Sequence, residues 1–178
     1  MDDETLYQQV RHKNEAALGE LVARYHSPIY KFLARYTGDA ALADDMAQET
    51  FIRLLTHAGP PPQRFKAWIY AIATNLARDH FRSAAYRYER LTDFNESEDY
   101  LSHAPLDTDR NDVGAALASL PPEQREVIIL RFYHDLKLDE IAEITHAPLG
   151  TIKSRLFHAL KGLKGFLAVM EVIEHDGS

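Results

Sequence analysis

The helical spacing of apolar residues between positions 138 and 166 constrains the fold more than any other feature of this sequence. Two apolar runs there follow a helical period: Leu138, Ile141, Ala142 and Ile144, then Ile152, Leu156, Leu160 and Leu163. Thr145-His146-Ala147-Pro148 separates the runs, and proline suits the first turn of a helix. Two short helices joined by so short a turn predict a helix-turn-helix.

The second of these helices is basic. Its cationic residues are Lys153, Arg155, Lys161 and Lys164, and no acidic residue occurs between Glu143 and Glu171. A face of this kind is either a solvated surface or a site for an anionic partner, and the local pattern leaves both interpretations open.

Composition limits the chain to ordinary globular proteins. Its 178 residues, 46% hydrophobic and 26% charged, suffice for one domain or two small ones. The chain has no cysteine, which excludes disulfides and cysteine nucleophiles and fits a cytoplasmic location. No apolar run approaches the roughly 18 residues of a membrane span, and the N-terminus is too acidic for a secretory signal. We therefore expect no membrane span of its own.

Charge is distributed unevenly along the chain. The formal net charge is −7, made up of 0 for residues 1–85, −5 for residues 86–118 and −2 for the remainder. Screening confines electrostatic contacts to about 8 Å at physiological salt, so a local basic patch can still meet phosphates. The overall charge nevertheless predicts weak DNA binding by the isolated chain.

Apolar periodicity predicts helices over residues 15–36, 40–57, 65–85, 113–120 and 123–133, and no sustained β alternation is present. Pro28 is expected to start a new helix or to kink the first, and Gly38 and Asp39 to end one helix and cap the next. The buried set is expected to include Ile52, Leu55, Phe132 and His80. The predicted fold is all-α: small helical domains at residues 1–85 and 114–178, joined by a flexible acidic linker at 86–113, with the helix-turn-helix in the second.

Three further patterns bear on function. Basic and aromatic residues interleave between positions 64 and 82 around Asn75, which suits single-stranded nucleic acid, although Trp68 is equally well explained as core. Asp44, Asp45, Gln48 and Glu49 form an acidic helix face that is either solvated or a docking surface. The nine histidines lie scattered without a ligand motif, and no nucleophile motif is present, so we predict no metal, no cofactor and no enzymatic activity.

Two segments together resemble a known family. DDMAQETFIRLL followed by RFKAWIYAIATNLARDHFR resembles region 2 of extracytoplasmic-function (ECF) sigma factors, and LASLPPEQREVIILRFYHDLKLDEIAEITHAPLGTIKSRLFHALKGL resembles their region 4. The resemblance covers roughly residues 8–168. It implies a transcription initiation factor that binds the bacterial RNA polymerase core, recognises promoter DNA and aids melting. It also implies an anti-sigma factor that silences the chain in unstressed cells.

The resemblance further implies roles for individual residues. Asp44, Asp45, Gln48 and Glu49 match the helix that docks on the polymerase core. Asn75 matches an asparagine beside the pocket for a flipped −10 base, residues 57–64 match the other wall of that pocket, and the −10 strand is expected near Lys66, Trp68, Tyr70, Arg78 and Arg82. The helix expected in the −35 major groove carries Thr151, Lys153, Ser154, Arg155 and His158, with Lys161 nearer phosphates.

The sequence departs from the family pattern at His146, where glycine is common, and at Lys137, where a serine or threonine cap is usual. Three consecutive prolines in the pocket loop are also unusual. The acidic linker has two interpretations, an RNA mimic in the polymerase channel or a plain tether. The alternative function is a stand-alone helix-turn-helix regulator that binds operator DNA without polymerase, whereas an all-α enzyme would need a catalytic set that the sequence does not provide.

Overall fold

The structure, a computed structural model, describes residues 1–92 and 112–176, and all regular structure in these ranges is helical. The N-terminal lobe consists of α1 (Asp3–Arg11), α2 (Glu15–Thr37), α3 (Ala40–Thr56) and α4 (Phe65–Thr92). The C-terminal lobe consists of α5 (Asp112–Ser119), α6 (Pro122–Phe132), α7 (Leu138–Thr145) and α8 (Leu149–Asp176). This confirms the predicted all-α class with a C-terminal helix-turn-helix. Most of the predicted linker lies outside the described residues.

Side-chain caps fix where the N-terminal helices begin. The carboxylate of Asp2 accepts from the Thr5 N–H, and that of Asp39 accepts from the Leu42 N–H at 3.0 Å. Gly38 ends α2 in the left-handed region at φ 71°, a conformation that costs glycine little. The predicted stop at Gly38 and restart at Asp39 are therefore confirmed.

Aromatic rings fill the core of the N-terminal lobe. Tyr7 of α1 packs on Phe65 and Trp68 of α4, with ring centroids 5.6 and 5.1 Å apart, and its hydroxyl donates to the Leu54 carbonyl at 3.1 Å. Phe32 of α2 packs against Tyr70 of α4, with ring centroids 6.0 Å apart. These contacts hold α4 against α1 and α2.

The core of the C-terminal lobe is aliphatic. Its fully buried side chains come from α6, α7, α8 and the loop before α7: Val127, Ile129, Leu130, Leu136, Ile141, Ile144 and Ile152. Leu120 approaches α8 so closely that a Cβ at Gly162 would lie 2.9 Å from its Cδ2 atom. A larger residue at position 162 would therefore require the end of the Leu120 side chain to shift.

Several predicted details are wrong. Ile52 and Leu55 are each 51% exposed and Phe132 is 55% exposed, and His80 also faces solvent. A helix buries only one stripe, and Phe51 and Leu54 already occupy the buried side of α3. Helix α2 runs through Pro28 as one element, so of the two expected outcomes, a new helix or a kink, the new helix is excluded. Helix α4 continues to Thr92, past the predicted end at residue 85.

The two lobes pack against each other. Helices α2 and α4 of the N-terminal lobe contact α5, α6 and α7 of the C-terminal lobe. Tyr36, Tyr70 and Arg78 on the N-terminal side all reach side chains of the C-terminal lobe. In the part of the chain that the structure describes, no helix is both long and apolar enough to cross a bilayer.

Candidate nucleic-acid interface

The loop at residues 57–64 leads into α4 and is tied to it. The His57 ring lies edge-on to Trp68 at 5.0 Å, and its Nε2 atom lies 3.1 Å from the Pro60 carbonyl oxygen. The first backbone N–H of α4, at Phe65, donates to the Glu4 carboxylate at 3.1 Å. A carboxylate from α1 thus satisfies an N–H group that the helix itself leaves unpaired.

Helical spacing divides the predicted −10 residues between two faces of α4. Trp68, Asn75 and Arg82 are seven residues apart and share one face, whereas Lys66 and Tyr70 lie on another. Trp68 is half-buried because Tyr7, His57 and Phe65 cover part of its ring. It therefore contributes to the core and still reaches the surface on the same face of α4 as Asn75.

Two of the predicted −10 side chains face the C-terminal lobe. Tyr70 is buried, and its hydroxyl is 2.9 Å from His134 Nδ1; burial raises the pKa of Tyr70 to about 12. The Arg78 Nε–H donates to the Glu126 carboxylate at 3.0 Å, and a second guanidinium N–H bonds the other carboxylate oxygen. These hydrogen bonds raise the pKa of Arg78 further. In this arrangement neither side chain is free for a nucleic acid.

The helix-turn-helix accommodates both departures from the family pattern. Lysine offers no acceptor at position 137, but the Glu140 carboxylate accepts from the Lys137 backbone N–H at 3.1 Å and caps the start of α7. His146 adopts the left-handed region at φ 54°, ψ 39°. The turn therefore keeps a left-handed residue at position 146, although histidine stands there in place of glycine.

The exposed surface of α8 carries two stripes. Thr151, Ser154, Arg155 and His158 follow the i, i+3, i+4, i+7 spacing of one stripe, and Lys153, Phe157, Lys161 and Lys164 form the neighbouring one. Arg155 Nη2 lies 3.7 Å from Glu123 Oε2, and the Arg155 side chain is 23% exposed. Sequence reasoning missed Phe157, which is exposed between the lysines.

The predicted acidic docking face of α3 is solvent-facing. Asp44, Asp45 and Gln48 are exposed and Glu49 is half-buried. Ile52 and Leu55 continue the same side of the helix with exposed aliphatic side chains. Sequence reasoning assigned both to the core, although their offset from Phe51 and Leu54 was the available signal. Exposed carboxylates and two half-exposed aliphatic side chains therefore share one side of α3.

Comparisons with known proteins agree with both halves of this geometry. The family model described as sigma-70 region 2 matches residues 21–87, and the model described as sigma-70 region 4 matches residues 110–163. The chain is 33% identical over 150 residues to the RNA polymerase sigma factor SigV of Bacillus subtilis, covering 83% of this chain and 89% of SigV. It is 29% identical over 171 residues to the ECF sigma factor SigW of the same organism, covering 88% and 91%.

A third relative is longer. The ECF sigma factor BldN of Streptomyces coelicolor is 33% identical over 159 residues, which cover 85% of this chain and 60% of BldN. Among solved structures, CnrH in complex with the cytosolic domain of CnrY has a TM-score of 0.69 at 24% identity, covering 94% of this chain and 97% of CnrH. RpoE of Bartonella quintana, solved with the anti-sigma factor NepR, has a TM-score of 0.64 at 23% identity, covering 85% and 97%. These two likenesses establish the fold.

The two family matches, in this order on two helical lobes, define the class: the chain belongs to the sigma-70 family, whose members direct RNA polymerase to promoters. Within that family its curated relatives place it among the ECF sigma factors.

Proposed function

We propose that this chain binds RNA polymerase core and confers promoter choice by contacting the −35 and −10 elements from its two lobes, without enzymatic activity of its own. The observation that carries this proposal is the stripe on the second helix of the helix-turn-helix, where Ser154 and His158 are exposed and Thr151 and Arg155 are half-buried. A second helix presented in this way fits the major groove of a promoter. Residues 1–85 and 114–178 would act as the two modules and residues 86–113 as their connection.

The stripe supports a division of labour in −35 recognition. Thr151, Ser154, Arg155 and His158 would face base edges, because a guanidinium can bond guanine O6 and N7 in two places. Lys153 and Lys161, on the neighbouring stripe, would lie nearer the phosphates and would position the helix without reading sequence.

The exposed face of α4 supports a role in −10 recognition. Asn75 lies on one face of α4 about 10 Å along the helix axis from Trp68 and from Arg82, so an aromatic edge, an amide and a cation follow one another along the helix. We propose that Asn75 and the loop at residues 57–64 hold a flipped base. Lys66, Tyr70 and Arg78 complete the proposed set, the last two only after release from the C-terminal lobe.

The α3 surface supports a role in core binding. Asp44, Asp45, Gln48 and Glu49 would meet basic groups of the polymerase, and Ile52 and Leu55 would add apolar contact. Since core polymerase works in the cytoplasm, we place the chain there. By resemblance to the family, we also propose an anti-sigma factor as a regulatory partner. Most of the acidic linker, whose proposed role is to mimic RNA in the polymerase, lies outside the described residues.

The proposal is tested by reconstitution. The purified chain should bind core polymerase, and the holoenzyme should select promoters from a random DNA pool and start transcription on them. The alternative, a stand-alone helix-turn-helix regulator, predicts a tight operator footprint by the chain alone and no polymerase binding. That second result would overturn the sigma-factor proposal.

A further inference from the structure

The contact between the lobes is built around a carboxylate that is completely buried. Glu126 of α6 has 0% exposed surface in an otherwise aliphatic part of the C-terminal lobe. A charge taken out of water is very unfavourable unless partners replace its hydration. All the partners that the structure gives this carboxylate come from the N-terminal lobe, which suggests that Glu126 serves the contact between lobes rather than its own lobe.

Those partners satisfy both carboxylate oxygens. The Tyr36 hydroxyl donates to Oε2 at 2.5 Å, the Arg78 Nε–H donates to the same oxygen at 3.0 Å, and a further Arg78 N–H donates to Oε1. This is a two-point guanidinium–carboxylate pair, the geometry that also suits arginine to a phosphate. If the two lobes separated, the Glu126 carboxylate would lose all of these hydrogen-bond donors.

A neighbouring arginine completes the contact from the other direction. Arg125 Nη1 donates to the Tyr36 carbonyl at 2.8 Å, and Nη2 donates to the Leu120 carbonyl at 2.9 Å. Its guanidinium lies 5.5 Å from the Phe81 ring of α4. At the edge of the contact, Tyr70 meets His134 and an exposed ion pair joins Arg64 to Glu143 at 3.0 Å. Polar partners therefore extend across the whole junction.

We propose that Glu126, with Arg78 and Tyr36, forms a latch that holds the free chain closed and covers part of its −10 surface. In the closed state the Glu126 carboxylate occupies the guanidinium fork that a DNA phosphate would otherwise take. Binding of promoter DNA to α4 and the Arg78–Glu126 pair are then mutually exclusive. The covering of the −10 surface depends on the function proposed above, whereas closure of the free chain does not.

Closure is tested first without polymerase or DNA. Because the chain has no cysteine, R64C/E143C introduces the only two thiols, at exposed positions that touch across the lobes. A short bismaleimide should link them rapidly within one molecule, and adding E126Q should slow the linkage at least tenfold. If linkage is equally fast with and without Glu126, or never occurs, the latch is overturned.

Small-angle X-ray scattering gives a second measure of closure. A compact chain of 178 residues has a radius of gyration of about 16 Å, and E126Q should exceed the wild-type value by more than about 10%. E143Q is the matched control, since it removes the same charge from the same interface at an exposed site and should leave the radius unchanged. Circular dichroism checks that E126Q keeps its helices. If E126Q loses helical structure, Y36F takes its place, because it changes only the N-terminal lobe. Y36F should open the lobes and so slow the cross-linking of the two thiols. An unchanged cross-linking rate in Y36F would overturn the latch.

The masking of the −10 surface is tested with a cleavable linker. For this test the two thiols are placed by R35C/Y133C, at positions that touch across the lobes and lie outside the proposed DNA-binding residues. R35C/Y133C closed by a disulfide-containing bismaleimide should support at least tenfold less transcription with core polymerase than the same sample after reductive cleavage. Full activity in the linked state would overturn the masking. If the cleaved sample and the unlinked wild type are both inactive, the proposed function is contradicted. Closure of the free chain is then judged by the cross-linking and scattering measurements alone.

Discussion

His146 shows how one residue can hold a turn at some cost. Its φ of 54° places a histidine in the left-handed region, which is unfavourable by roughly 1–2 kcal/mol for residues with a Cβ. Glycine removes that penalty but gains freedom in the unfolded chain, which returns part of the benefit. The net effect should still favour glycine.

We therefore expect H146G to raise the free energy of unfolding by about 0.5–1 kcal/mol, measured by urea denaturation. A41G, in the exposed first turn of α3, is the control and should lower it by up to about 1 kcal/mol. If H146G lowers the free energy of unfolding as A41G does, the turn is not strained in solution.

His134 makes stability depend on pH. Burial, followed by the charges of Arg35, Lys66 and Lys31, lowers its pKa to about 4, with Asp135 acting in the opposite direction. Above pH 6.5 the histidine is neutral both folded and unfolded and adds no pH dependence. Between pH 6.5 and about 4 the unfolded chain takes up a proton that the folded chain resists, so this residue removes stability as pH falls.

The predicted loss from His134 is on the order of 2–3 kcal/mol over that interval. H134F should flatten this part of the stability–pH curve, measured by thermal or urea unfolding at a series of pH values. Y70F removes the same hydrogen bond but keeps the buried histidine, so its curve should keep the wild-type slope. A steep slope in H134F would assign the effect to other groups.

At the scale of the helix, α8 presents reading and positioning residues on neighbouring stripes. R155A should weaken discrimination between matched and mismatched −35 elements by roughly 1–3 kcal/mol, measured as holoenzyme binding to a set of promoters. K161A should weaken holoenzyme binding to all promoters by a similar factor. It should also make the slope of log K against log salt concentration shallower by about one. If R155A weakens every promoter equally, Arg155 contacts phosphate.

The face of α3 gives a separate prediction for the polymerase contact. I52S should reduce core affinity by on the order of 1–2 kcal/mol, since a half-exposed isoleucine can bury the rest of its surface only against a partner. Unfolding free energy should stay within about 0.5 kcal/mol of wild type. V113S, another exposed aliphatic residue but on the second lobe, is the control in the same binding measurement. If V113S loses core affinity and I52S does not, the docking surface lies on the second lobe and not on α3.

Helix type and order could be predicted from sequence because apolar spacing and caps are local. Gly38 and Asp39 set one boundary by backbone and side-chain chemistry that acts over a few residues, and the structure agrees. Ile52 and Leu55 were misassigned because the run FIRLL is apolar on two sides, and only the neighbouring helices determine which side is buried.

The same limit applies to the site. The −35 residues of α8 were named from the family resemblance, and spacing within one helix divides them between two stripes. Their roles stay a prediction. The partners of Tyr70 and Arg78 did not follow, since His134 and Glu126 lie 64 and 48 residues further along the chain. A pattern in a single sequence carries no signal for such a pair.

At the scale of the whole molecule, the net charge of −7 and the closed arrangement act in the same direction. Both oppose DNA binding by the free chain, the first through long-range repulsion and the second through the contacts of Arg78 and Tyr70. Binding to core polymerase would have to offset both. The isolated chain should therefore show little affinity for promoter DNA in a filter or fluorescence assay, while the holoenzyme binds tightly.

The order of Arg78 and Glu126 along the chain also determines when each becomes available during synthesis. The N-terminal lobe is complete once α4 has left the ribosome, but its closing partner Glu126 is encoded 34 residues after Thr92, the last residue of α4. At a translation rate of about 5–20 residues per second, Glu126 follows after roughly 2–7 s. During that interval a nascent chain carries a folded first lobe whose Arg78 and Tyr36 are not yet engaged.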